Sequence, residues 1–157
     1  MLRLFFDRHV KPNYDDWLAS PADERLAKNA VADANNMAAR AYHYWRDREP
    51  DHVYRTANEG RYRDELATRE CPDFALVRDV ADAHKHFHLD RPKRRITRSD
   101  QTGSGAIGWG EGPYGEGIHG GGPQLLVTLD DGSKRPLTAI MANVIKMWEQ
   151  LLARWGL

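Results

Sequence analysis

The chain has 157 residues, 41% of them hydrophobic and 29% charged, a size and balance that fit a single folded domain over 1–157 and exclude a disordered chain. Its 23 Lys and Arg match its 23 Asp and Glu, so no global field draws it to nucleic acid or to an anionic bilayer, and any such surface must be local. No apolar run is long enough to span a membrane, the opening MLRLFFDRHV is too short for a signal peptide, and the one cysteine, Cys71, cannot close an intrachain disulfide; the expectation is a cytoplasmic protein that does not engage a membrane.

Residues 2–12 run from apolar to polar, end at Pro12 and read as extended or irregular. Asn13 is placed to cap a short helix over YDDWLA. Ser20-Pro21-Ala22-Asp23 is a second helix start, with Ser20 as cap and Pro21 at the first helical position. The helix it opens runs to about Arg46 on a seam of Leu26, Ala30, Met37, Ala41, Tyr44 and Trp45, at three- and four-residue spacing. The alanines on the seam admit a close neighbour. Asp33 falls within the same stripe, where a carboxylate requires a partner or a frayed edge. The polar stretch 51–69 suggests one or two short helices broken near Gly60. Cys71-Pro72-Asp73 then starts a helix that stops before Pro92. A thiol at a helix start is either activated or simply buried, and no catalytic triad surrounds this one.

Beyond position 92 the character changes. KRRITRS, residues 93–99, favours a strand. QLLVTL (124–129) and SKRPL (133–137) flank Asp130-Asp131-Gly132, a hairpin signal in which Asp-Gly supplies positive φ to a tight turn. Between them, residues 103–122 hold ten of the thirteen glycines and no apolar period, the pattern of a long mobile loop. Residues 136–155 make the strongest helix, with Leu137, Ile140, Met141, Val144, Trp148, Leu151, Leu152 and Trp155 in one wide stripe. The predicted fold is mainly α: a bundle of three or four main helices between about 20 and 90 and at the C-terminus, with a two- or three-stranded antiparallel insertion over about 93–137.

The chemistry is concentrated in RDVADAHKHFHLDR, residues 78–91, where three of the seven histidines alternate. On a helix at about 100° per residue, Leu76, Val80, Ala83 and Phe87 form the core side. Arg78, Asp82, Lys85 and His86 share the opposite side, with Asp79 at its rim, while His84 lies at the border of the core. A guanidinium suits phosphate, an imidazole moves protons near neutral pH, and a carboxylate one turn from each orients both. The same residues equally describe an ordinary solvated face with i, i+4 charge pairs. His84 and His88, at i, i+4 spacing, are an alternative metal pair that Asp33 or His43 could complete; otherwise no metal or cofactor is expected.

An arginine, a polar residue directly after it and a histidine following five intervening residues, here Arg78-Asp79 and His84, resembles the signature of the HEPN superfamily. The resemblance implies a helical, metal-independent endoribonuclease, with Arg78 on the phosphorus charge, His84 or His86 as base or acid, and Asp79 or Asp82 orienting them. It also implies a homodimer whose two motifs face each other, and a role of the toxin–antitoxin or phage-defence kind, with RNA and an antitoxin as partners. The segment ALVRDVADAHKHF is also similar to segments of small bacterial and phage-borne proteins. His84 departs from the pattern by projecting about 120° from Arg78 on an ideal helix.

Arg91-Pro92-Lys93-Arg94-Arg95 with Arg98 adds a basic stretch that can meet an RNA backbone, with Trp109 and Tyr114 of the glycine-rich loop as stacking surfaces. The same charges also suit a protected edge strand. GWGEG and GPYGEG have no lysine after the glycines, which argues against a phosphate loop. A non-enzymatic accessory protein that holds a protein partner through this loop and the sheet is the alternative function.

Overall fold

The N-terminal residues are helical, not extended. In the computed structural model, which describes residues 1–86, 88–105 and 122–157, α1 (Leu2–Phe5) runs through a π turn (Phe6–Val10) into α2 (Lys11–Leu18). Leu2, Phe6, Val10, Tyr14 and Trp17, at three- and four-residue spacing, are all buried. Pro12 was the misleading signal. It lies in the first turn of α2, directly after the helix has widened into a π turn, so the N–H that proline lacks interrupts the ladder where its register already changes. Asn13 is therefore no cap. Its Nδ2 donates to Asp33 Oδ2 at 2.6 Å, and this is the partner that the carboxylate in the seam requires.

α3 (Glu24–Trp45) is the long central helix. Asp23, not Ser20, caps it: the Oδ1 of Asp23 accepts from the N–H groups of Arg25 and Leu26 at 2.9 and 3.0 Å. Its small buried residues Ala27, Ala30, Ala34, Ala38 and Ala41 form a close-approach row, of which the sequence seam named Ala30 and Ala41. A 3-10 turn at Pro50–Val53 leads to α4 (Glu59–Glu65), which Asn58 caps and a π turn over Leu66–Glu70 extends. Gly60 lies in the first turn of α4 and does not break it. α5 (Asp73–His86) follows. Among the described residues, Leu76, Val77, Val80 and Ala83 supply its buried side; Phe87 falls outside them.

Among the described residues the sheet is three-stranded and antiparallel, in the order β1 (Thr102–Gly105), β2 (Gln124–Thr128), β3 (Lys134–Pro136). Register pairs Thr102 with Val127 and Val127 with Arg135. Residues 93–99 are not a strand, apart from a single bridge between His88 and Arg98. Three of their N–H groups are satisfied by side chains instead: Asp79 Oδ2 accepts from Arg95 N at 2.7 Å, and Gln101 Oε1 accepts from Thr97 N and Arg98 N at 2.7 and 2.8 Å. The hairpin closes with Leu129 N on Ser133 O at 2.8 Å. The loop is thus the three predicted residues Asp130-Asp131-Gly132, with Gly132 at φ +86°.

α6 (Leu137–Arg154) returns across the bundle with its stripe buried against α3 and α5. Trp148 is fully buried and donates Nε1–H to Ala34 O at 3.0 Å, which ties the indole to the alanine-rich face of α3. The helical bundle with an inserted small sheet is the fold the sequence predicts.

Candidate functional site

Residues 88–98 leave the end of α5 and fold back along it as a strap. The cause is a pair of carboxylates on α5. Arg91 Nη1 donates to Asp82 Oδ2 at 2.9 Å, and its Nη2 donates to Asp79 Oδ1. Asp79 is 1% exposed. With one oxygen on Arg91 and the other on the Arg95 amide, it is fully committed to holding the strap. A buried carboxylate is tolerated under those conditions of pairing and hydrogen bonding.

Arg78 lies one turn before Asp82. Its Nη1 donates to Asp64 Oδ1 of α4 at 2.8 Å, and its Nε is 4.0 Å from Asp82 Oδ2. Arg63 of α4 bonds Glu59 and, through Nη2, Asn35 O at 3.3 Å, while its Nε is buried without a partner among the described residues.

These groups enclose a cleft with two adjoining compartments. The larger, of about 290 Å³, is lined by Asn58, Gly60, Arg61, Asp64, Arg78, Arg91, Pro92 and Lys93. The smaller, of about 150 Å³, shares Asp64, Arg78, Arg91, Pro92 and Lys93 with it and adds Arg63, Thr68 and Asp79, with the small side chains of Ala67 and Ala75 completing the lining. Burial pushes the Arg91 guanidinium down to about 10, with the charges of Arg78 and Arg63 adding to the effect and Asp64 opposing it. Arg63 is lowered for the same reasons, burial first and then Arg78. The guanidiniums thus oppose one another's charge in a partly desolvated cleft, while each is paired with a carboxylate: Arg78 with Asp64, Arg91 with Asp79 and Asp82, Arg63 with Glu59.

The predicted residues are only partly gathered here. Arg78 and Asp79 line the cleft, and Asp82 is bonded to Arg91 and 4.0 Å from Arg78. His84 is on another flank, half-buried; burial lowers its pKa, with Lys28 lowering it further and Glu24 of the same helix opposing. His86 is exposed near the end of α5. Arg78 hydrogen-bonds or ion-pairs to carboxylates alone among the described residues. His88 is exposed beyond the helix, with Nε2 3.8 Å from Asp90 Oδ1. α5 ends at His86, so the i, i+4 relation of His84 and His88 is not helical. Asp33 is engaged by Asn13, and His43 lies 3.5 Å from Glu59. Among the described residues no three His, Cys, Asp or Glu side chains gather as a metal site.

The basic stretch divides. Lys93 is exposed at the cleft, with φ +62°. Arg94 turns back to Arg91 O at 3.0 Å and Thr97 Oγ1 at 3.3 Å. Arg95 contributes its amide to Asp79, and Arg98 pairs with Asp100 at 3.1 Å. Trp109, Tyr114 and most of the glycine-rich loop lie outside the described residues. Cys71 is buried, which pushes its thiol up.

The residues that the sequence did not single out are Arg61, Arg63 and Asp64. The available signal was local: Asn58 as a helix cap, followed by Glu59 and Arg63 at i, i+4. No family model, no curated protein and no solved structure matches this chain.

Proposed function

We propose that the cleft between α4, α5 and the strap binds single-stranded RNA through its phosphates. One observation carries the reading: Arg61, Arg78, Arg91 and Lys93 line the larger compartment against a single carboxylate, Asp64. Planar guanidinium forks match phosphate oxygens, and a cleft of this size admits a strand and not a duplex. The likeness of Arg78-Asp79 and His84 to the HEPN signature supports RNA as the polyanion.

Binding is measured by fluorescence anisotropy against mixed-sequence single-stranded RNA over a salt series. Arg78→Ala and Lys93→Ala are each expected to weaken binding and to flatten the log–log salt slope by about 0.7. Deletion of 103–122 should leave binding in place. Salt-independent binding, or affinity untouched by both variants, rejects the reading.

Cleavage is a second reading, favoured by His86, which is exposed one turn beyond Asp82. Eight residues of helix separate Arg78 from His86 by about 12 Å along the axis. One phosphate would therefore meet both groups only with a second copy of α5 facing the first. With chelator present, tRNA and single-stranded RNA should yield 2′,3′-cyclic phosphate ends that disappear in Arg78→Ala and in the His84→Ala/His86→Ala double variant. Product that survives both variants removes α5 from the chemistry.

A further inference from the structure

We propose that Asp64 regulates the cleft as a built-in competitor for phosphate: in the free protein its carboxylate occupies Arg78, and the RNA of the reading above, on which this rests, binds by displacing it.

Arg63, Arg78 and Arg91 each hold a carboxylate, but the three pairs differ in what their exchange would cost. Arg91 bonds Asp79 and Asp82, and Asp79 is buried and also anchors the Arg95 amide. Arg63 bonds the partly buried Glu59 and the backbone oxygen of Asn35. Arg78 donates from Nη1 to Asp64 Oδ1 at 2.8 Å, and the Asp64 side chain is 58% exposed. The Nε of Arg78 lies 4.0 Å from Asp82 Oδ2, beyond hydrogen-bonding reach. Taking Arg91 away from Asp79 would leave a carboxylate charged and dry. Taking Arg78 away from Asp64 returns that carboxylate to water, and its side chain makes no other hydrogen bond or ion pair among the described residues. An exposed pair of this kind is worth a factor of about five at most. Arg78 is therefore the paired guanidinium that a phosphate takes at least cost.

Position fits the exchange. Asp64 and Arg78 line both compartments, so an anion that enters either one meets the pair. Arg61 and Lys93 are exposed at the larger compartment, and neither side chain has a hydrogen-bond or ion-pair partner among the described residues. These two cations receive a strand without exchange. At Arg78, carboxylate and phosphate oxygens match the same guanidinium fork. Two anions on one fork repel each other, so the phosphate turns Asp64 out toward solvent.

The test measures the anisotropy of one labelled single-stranded RNA with wild type, Asp64→Asn, Arg78→Ala and the double variant at one salt concentration. Asp64→Asn should bind about three- to ten-fold more tightly than wild type, the worth of the pair plus the repulsion removed. In the Arg78→Ala background the same substitution should gain less than about two-fold, since the cycle isolates what passes between the two residues. Asp64→Ser, which removes the charge with a smaller side chain, should repeat both results. An equal gain in the two backgrounds would make Asp64 only a nearby charge and overturn the exchange. Unchanged or weaker binding by Asp64→Asn would overturn it too, the weaker case making Asp64 a brace that holds Arg78 for phosphate. If Arg78→Ala still weakens binding in that event, the cleft as an RNA site stands and only the competitor falls; if no variant differs from wild type, the RNA reading falls with it.

Discussion

The seam between α3 and α6 and the junction of α4, α5 and the strap are built by opposite means. In the seam, Ile140, Met141, Val144, Trp148, Leu151 and Leu152 are buried against the bundle, and the indole of Trp148 bonds Ala34 O of α3. Apolar burial has no preferred direction, so it fixes that helices pack and leaves their exact seating to shape. At the junction, α5 buries two aspartates and uses each to anchor a different part of the chain. Asp73 holds Arg135 of β3 and Asn143 of α6; Asp79 holds Arg91 and the Arg95 amide of the strap. Such contacts are directional, and loss of one partner is severe because the other is left charged and dry. The seam gives the bundle its stability, while the junction determines where irregular chain lies and hence gives the cleft its shape.

Removing Asp79 separates the two most sharply. Asp79→Ala should destabilise the protein by about 3–5 kcal/mol, the range for breaking a buried ion pair. Trp148→Ala should cost a similar amount, about 3–5 kcal/mol, through the cavity it leaves. Urea unfolding measures both. The distinction appears in RNA affinity at low temperature: the folded fraction of Trp148→Ala retains it, whereas Asp79→Ala loses it as Arg91 and the strap come free. A loss of less than about 1 kcal/mol for Asp79→Ala would mean that the strap is held by something else.

The other aspartate gives a smaller effect with a definite pH signature. Burial alone would push the Asp73 carboxyl up, but hydrogen bonds from Arg135 and Asn143, with the charges of Arg135 and Arg95, hold it below its ordinary 3.8. A depressed carboxyl contributes stability in full above its unfolded value and loses it as pH falls through the folded one. Asp73→Asn should therefore cost about 1.5–3 kcal/mol at neutral pH, the range for hydrogen bonds to a charged group. Urea midpoints of variant and wild type should converge below about pH 4. A gap that persists unchanged at pH 3 would assign the cost to packing and not to charge.

The same contrast explains what could be read from the sequence. The seam was legible because Leu137, Ile140, Met141, Val144 and Trp148 repeat at helical spacing, and periodicity reports burial directly. The buried side of α5 was legible for the same reason. The first helix was equally periodic, at Leu2, Phe6, Val10 and Tyr14, but Pro12 obscured it; a single breaker is a weaker signal than four spaced apolar residues. The junction was legible only in part. Arg78 and Asp82 were placed on one face correctly, because that needs only the helix angle. The returns of Arg91 to Asp79 and of Asp64 to Arg78 span 12 and 14 residues, and no local period encodes a contact that far apart. KRRITRS misled because its strand propensity competes with side-chain acceptors on Asp79 and Gln101, and those acceptors prevailed.

The smallest predicted effect tests whether the strap stores strain where the cleft needs a charge. Lys93 holds φ +62° directly after Pro92, in the left-handed region where a Cβ is penalised by roughly 1–2 kcal/mol. Glycine removes that penalty and adds freedom to the unfolded chain worth roughly 0.5–1 kcal/mol. Lys93→Gly should thus be more stable than Lys93→Ala by up to about 1 kcal/mol in thermal or urea unfolding. Both variants lack the ammonium, so both should weaken RNA binding to the same extent. Equal stability of the two would show that the backbone at 93 relaxes, whereas unequal RNA affinity would show that the cleft depends on the shape of the strap as well as on its charge.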